Sequence, residues 1–324
     1  MTDTPLHVLA IGNAIVDVLV TAGDDLLDRH GLVKGEMRLV DAEGAERLYA
    51  DMGPAIEVSG GSAANTAAGI ASLGGDVAYV GKVAADELGA VFTHDIRAAG
   101  VEFETPPATG GPPTARSLIV VTPDAERTMS TFLGASNGLT ADDVDDAVVA
   151  RARIVYLEGY LWDPPAAKDA FRKAMDAAHA AGGKVAFSLS DSFCVDRYRD
   201  EFLDLVDHHV DVLFANTAEL ASLYQTDDFD AALAKVRGRG MIAAVTRGAA
   251  GSVIVQGDAL HEVPATPVEV VDTTAAGDLY AAGVVYGLSR DLPLDECARI
   301  GSVCAGEIIS HLGARPQTRL ADLV

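Results

Sequence analysis

Asp278 closes a run of small residues, Asp272-Thr-Thr-Ala-Ala-Gly-Asp278, which follows the β-branched pair Val270-Val271 and leads into a helix-like stretch reaching Leu288. A strand end, a tight turn and a helix opening near Gly277 would aim several backbone N–H groups out of one helix N-terminus. Such an end is an anion site. A carboxylate in its first turn is kept ionised by the helix dipole and can accept a hydrogen bond or a proton. An anion cradle with a built-in carboxylate suggests phosphoryl transfer to a hydroxyl. The same stretch also suits an ordinary strand, turn and helix in which Asp278 is a capping acid.

Other polar residues stand in places that need explaining. Gly12 to Asp17 (GNAIVD) sets Asn13 and Asp17 in an apolar frame, where each needs a partner. Backbone groups could satisfy them, or a polyhydroxylated ligand could. Gly60 to Asn65 (GGSAAN) opens a helix of small residues that packs very close to something, a sheet or a ligand, with Asn65 on its first turns.

The bulk composition narrows the partners. A formal charge of −24 over 324 residues argues against nucleic acid or an anionic membrane, which need a basic footprint. Any phosphate must then be held locally, by backbone N–H groups, a few basic side chains and a divalent cation. The three cysteines, Cys194, Cys297 and Cys304, have no CxxC spacing and read as reduced packing residues. With no basic n-region at the start and no apolar run near the ~20 residues of a membrane span, the expectation is a cytoplasmic protein.

Strand-like runs at 7–11 and 77–80 flank the glycine-rich helix, and an amphipathic helix is expected at 86–99. Two runs at 115–122 and 127–132, separated by Pro-Asp-Ala-Glu, read as a hairpin. Thr140 with Asp143 resembles a capping box opening a helix to about Ala150. From there strands at 154–157, 184–188, 212–215 and 241–246 alternate with helices, a doubly wound parallel signature. Loops after strand ends line the crevice in such sheets, which brings in 158–162, 190–192 and 216–219. Residues 252–255 and 261–263 read as an antiparallel edge. Between 18 and 59 no helix-period repeat is visible. The β-rich segments 13–59 and 105–133 are expected to form a small lid on one domain spanning 1–324.

Several motifs fail in context. Arg237 to Ala243 contains G-x-G-x-x-A, but the glycines precede a strand instead of following one. Gly81-Lys82 lacks the rest of a Walker A loop. His208 and His209 read as an exposed helix end, and Trp162 as a loop anchor in preference to a substrate platform.

With these residues laid out, the chain resembles the PfkB-type carbohydrate kinases, the ribokinase-like family, and within it the adenosine kinases. DTTAAGD resembles the family's D-T-x-G-A-G-D signature, Asn216-Thr217-Ala218-Glu219 its N-x-x-E, and Gly60 to Asn65 its amino-terminal glycine motif. The resemblance implies an α/β fold, a doubly wound, mostly parallel sheet flanked by helices, with a β-rich lid. It implies Asp278 as the base that takes a hydroxyl proton, with the amides of Ala275, Ala276 and Gly277 stabilising the transferring phosphoryl. Asn216 and Glu219 would organise magnesium on ATP, through water, and Thr246, Gly248 and Gly251 match the nucleotide loop. The segment around Asp272 and Thr273 resembles the family's monovalent cation loop, a place for potassium. Asn13, Asp17, Gly61 and Asn65 match positions that hold sugar or ribose hydroxyls. Ala275 replaces the family's usual glycine, which matters only if residue 275 needs a positive φ.

GNAIVD, Ser188 to Phe193 and the run DVLFANTAEL look closer to adenosine kinases. The implied reaction is ATP-dependent phosphorylation of a primary hydroxyl of a ribonucleoside, adenosine to AMP first. The alternatives are the same chemistry on a free sugar (ribose, fructose or ketodeoxygluconate) and a nucleoside-binding sensor without turnover. Arg116 reads either as a phosphate contact on lid closure or as a surface arginine, and Phe132 and Phe193 are candidates to sandwich a base. A monomer and a homodimer are both compatible with the resemblance.

Overall fold

The computed structural model describes residues 4–324 apart from residue 125. Nine strands form one sheet, in the order Ala259–Val263, Ser252–Gln256, Ile242–Thr246, Val212–Asn216, Lys184–Ser188, Ala152–Glu158, Leu6–Ile11, Val77–Val80 and Glu102–Phe103. Every pairing is parallel except the two made by Ser252–Gln256, the antiparallel edge read from the sequence. The fold is ribokinase-like α/β. Its central strands are near-continuous apolar runs because both faces are covered. In Leu6–Ile11, Val8 and Ala10 join one core, and Leu9 and Ile11 the other. The first core is closed by helices Ser62–Ser72, Ala276–Ser289 and Leu294–Ile309, the second by Pro165–Ala180, Ser192–His208, Thr217–Tyr224 and Phe229–Arg237.

A second sheet of five strands runs Met37–Leu39, Arg127–Phe132, Ala115–Val121, Ile15–Thr21 and Ile56–Gly60. The period of two along its strands splits the residues by face. Val16, Val18, Leu118 and Val120 are buried in the first core, whereas Ile15, Asp17, Ser117 and Ile119 face a cavity between the sheets.

Two expectations change. Residues 18–59 hold two helices, Asp24–His30 and Ala42–Asp51. They bury only Leu26, Leu27, Ala45 and Leu48, too few positions to make a helix period legible. The Thr140/Asp143 capping box is present, but it closes a 3₁₀ turn, Ala141–Asp143, and the α-helical turn is Asp146–Val149. Asp143 also pairs with Lys82. Cys297 and Cys304 are buried and Cys194 half-buried, all three free. Among the described residues no helix is long and apolar enough to cross a membrane.

Candidate active site

Four parallel strands end at residues that line one cavity of ≈ 1110 Å³: Glu158, Ser188, Asn216 and Thr246. This is the carboxyl edge of the sheet, where open α/β folds place ligands. The inner face of the second sheet and the turn Thr273–Asp278 complete the walls. Asn13, Asp17, Gly61, Asn65, Asn216, Glu219, Thr246, Gly248, Ala275, Ala276, Gly277 and Asp278 all line it. Gly251 and Asp272 stand outside the lining. Gly251 is a structural turn glycine, at φ +84° with Val263 O only 2.1 Å from where a Cβ would sit.

Helix Ala276–Ser289 begins directly after Ala275, whose φ of 60° and ψ of 11° are left-handed. The condition attached to the missing glycine is therefore met, and the alanine carries a backbone penalty of roughly 1–2 kcal/mol. The amide of Ala276 already donates to Thr273 O at 3.2 Å. Those of Ala275, Gly277 and Asp278 have no backbone partner among the described residues, so they are the free donors of the turn. Asp278 accepts from Ser62 Oγ at 2.6 Å and from Asn65 Nδ2 at 2.9 Å. Burial pushes its carboxyl up, against the opposing pull of those two bonds and of Arg315.

Asn13 is fixed at both ends. Its N and Nδ2 donate to Glu158 Oε1 at 2.7 and 2.8 Å, and its Oδ1 accepts from Ser136 Oγ at 2.8 Å. Glu158 Oε2 takes Ala63 N at 2.6 Å, so this one carboxylate joins the loop after the first strand to the glycine-rich helix. Burial raises Glu158 to about 7 even with three donors on it. Asp17 differs. It lines the cavity without a hydrogen-bond donor among the described residues, and burial raises it to about 6 despite Arg315 and Arg127. A half-buried carboxylate facing a cavity without a donor is suited to a ligand hydroxyl.

Two arginines went unread in the sequence. Arg315, in a tail read only as a helix stop, donates to Asn65 Oδ1 and Ser59 Oγ. Arg127 pairs with Asp272 Oδ2 at 2.9 Å and donates to Thr274 Oγ1 at 3.0 Å. Asp272 Oδ1 further accepts from Thr274 N and Oγ1, and Oδ2 from Gly313 N. That carboxylate thus has three hydrogen-bond donors and a guanidinium counter-charge, and it does not fit a potassium ion held through it.

Asn216 and Glu219 form a reciprocal capping box: Asn216 N and Nδ2 donate to the two Glu219 oxygens, and Glu219 N donates to Asn216 Oδ1. Burial raises Glu219 to about 7. Each oxygen keeps a lone pair for a hydrated cation. The cavity lining is acidic. Its lining includes Asp17, Glu158, Asp163, Asp191, Glu219 and Asp278, while Arg197 is the one basic residue among the described lining and is itself paired with Asp163 at 2.7 Å.

The remaining candidates divide. Phe193 lines the cavity and is 63% exposed, but Phe132 packs against the core. Arg116 is not a surface residue: it is buried with its guanidinium over the Tyr49 ring at 5.5 Å. Trp162 is fully buried and donates to Glu201, the anchor it was read as.

Fold and site together define a phosphotransferase, and the chain belongs to the pfkB family of carbohydrate kinases, whose model matches residues 56–319. A crystal structure of adenosine kinase from Sinorhizobium meliloti is 54% identical, with a TM-score of 0.92 over 99% of this chain and 98% of that one. An ATP-dependent ribose-1-phosphate kinase from Halopiger xanaduensis is 28% identical over 86% of this chain and 88% of its own length. A fructokinase from Klebsiella pneumoniae is 27% identical over 73% and 79%. The chain is an ATP-dependent kinase with an alcohol group as acceptor, on a nucleoside or a sugar.

Proposed function

We propose that the acceptor is a ribonucleoside, adenosine first, phosphorylated on its primary hydroxyl. The observation that carries this is the two-sided character of the cavity. Asn13, Asp17 and Asn65 offer polar groups to hydroxyls, while Met37, Leu39, Ile119 and Met129 of the second sheet, with Phe193 opposite, offer an apolar wall. Met37 and Leu39 are about half exposed although apolar. A nucleobase would cover them, and a free sugar would leave them wet. The likeness to the Sinorhizobium adenosine kinase supports the same choice.

In this reading Asp17 accepts from a ribose hydroxyl, and Asp278 takes the proton of the attacking one. The free amides of the turn 275–278 face the charge on the phosphoryl group as it moves, which is where a loose transition state asks for stabilisation. Thr246 and Gly248 contact the nucleotide. Asn216 and Glu219 would hold magnesium, which would supply the counter-charge that the acidic lining lacks. The second sheet acts as a lid that excludes water from the transfer.

The test is a panel of adenosine, ribose, fructose and ketodeoxygluconate with ATP and magnesium. Adenosine is expected to give the highest kcat/KM, and preference for any of the sugars would overturn the assignment. Two further results follow from the site. Because Asp17 accepts best when ionised, the KM for the acceptor is expected to rise as pH falls through about 6. Because Arg127 already neutralises Asp272, turnover is expected to be equal in potassium and choline salts, and activation by potassium would contradict it.

A further inference from the structure

Arg315 reaches inward from the tail that follows the last long helix, and its guanidinium joins four elements of the main body. One branch runs to Asn65 Oδ1, and Asn65 Nδ2 then donates to Asp278. The other branch runs from Nη2 to Ser59 Oγ at 2.8 Å, and Ser59 donates through both N and Oγ to Asp95 Oδ2, at 2.7 and 2.5 Å. The facing charges are Asp17 on Ile15–Thr21, Asp95 on Glu87–Ala98 and Asp278 on Ala276–Ser289, with Tyr79 on Val77–Val80.

The chemistry of the Asn65 amide gives this arrangement a direction. An asparagine side chain presents an acceptor at one end and a donor at the other, and the two ends are nearly isosteric. Left alone it could turn either end to Asp278. A guanidinium only donates, so Arg315 claims the oxygen and leaves the NH₂ for Asp278. A fork that also grips Ser59 fixes the angle at which the amide is presented.

We propose that Arg315 is a positioning residue for phosphoryl transfer: its fork sets the orientation of Asn65, and its charge offsets those of Asp17 and Asp278. The inference rests on the reading of Asp278 as the base and Asn65 as an acceptor contact. A purely structural Arg315 would only fasten the tail. The two cases separate in kinetics, because fastening does not move an acid limb or split the two substrates.

Arg315→Met and Arg315→Lys in the full chain are compared with wild type from pH 5 to 9, measuring kcat, both KM values and the thermal midpoint. For Arg315→Met, kcat/KM for adenosine is expected to fall roughly 10- to 100-fold, a charge-assisted contact's worth. Its acid limb should move to higher pH, and the KM for ATP should hold. For Arg315→Lys the limb is expected to return toward wild type while the KM for adenosine stays raised, because an ammonium supplies charge without the fork. The other titratable groups facing Asp278 are Tyr156, Glu158 and Tyr160, and Arg127 also faces Asp17. They are common to all three proteins, so a displaced limb reports Arg315.

An unmoved limb with a lowered thermal midpoint in Arg315→Met overturns the inference. Should that variant not fold, Arg315→Lys decides: a wild-type KM for adenosine overturns it, and a raised one with the limb in place supports it. Asp278→Asn keeps the two readings apart. If Asp278→Asn turns over normally, the assignment of the base fails. If it is inactive while both Arg315 variants match wild type, only the role of Arg315 fails.

Discussion

Asp278→Asn is expected to lower kcat by roughly 10²- to 10⁴-fold, the range for loss of a general base, with acceptor binding and the fold retained. The amide has nearly the shape of the carboxylate and can keep both neighbours. Its oxygen can take the bond from Asn65 Nδ2, and its NH₂ can donate to Ser62 Oγ, which reverses role by rotating its hydroxyl. What disappears is the capacity to accept a proton. Stability should not suffer. Burial raises the folded pKa of Asp278, so between the unfolded and folded values the native state holds the extra proton, and stability falls as pH rises through that window. A neutral residue removes that loss, so the variant's thermal midpoint at neutral pH is expected to equal or exceed that of wild type. Titration calorimetry with adenosine and a melt, beside the turnover assay, separate the cases. Turnover above a tenth of wild type would sink the assignment of the base.

Gly61→Ala is expected to damage the acceptor half of the site and spare the nucleotide half. Gly61 has φ 97° and ψ 139°, a region closed to residues with a Cβ, and the added atom would lie 2.2 Å from Asn13 O. No rotamer relieves a clash with backbone. The strain alone costs about 1–3 kcal/mol. The rest appears as a parting of two segments, the loop and strand carrying Asn13 and Asp17 and the helix start carrying Ser62 and Asn65. A misplacement of that order costs about 10²-fold in reactive geometry, so kcat/KM for adenosine should fall by that much while the KM for ATP stays level. Asn216 and Thr246 end other strands and are not moved. Equal loss toward both substrates would point instead to general unfolding.

How much of this was legible depended on sequence distance. The alternation of apolar strands and amphipathic helices from 152 onward is local, and the structure follows it within a residue or two at most boundaries. Asn13, Asp17, Asn65 and Asp278 stood out because each is polar in an apolar or small-residue frame, and Asn216 through its strand-end loop and its N-x-x-E spacing. Glu158 was visible only as a loop position after a strand, since nothing near it in sequence shows that it ties Asn13 to Ala63. Arg315 was invisible for the same reason: its partners Asn65 and Ser59 lie 250 and 256 residues away. The contact that bears on the potassium reading is of this kind, between Arg127 on one sheet and Asp272 before the turn. The short helices of 18–59 were lost because their signal is tertiary: a sheet face for them to cover, not a period of their own.

The left-handed Ala275 has a consequence for how ready the turn is before substrate arrives. A glycine there would visit both signs of φ about equally, so ordering the free amides would fall partly on the reaction. An alanine held at φ 60° has few other places to go inside this packing. Its strain is met when the chain folds, and the amides of 275, 277 and 278 are then already aligned at each turnover. In the proposed reading, the methyl group that looks like a defect in the signature would act as a stiffener, and the turn would be preorganised for the charge on the phosphoryl group.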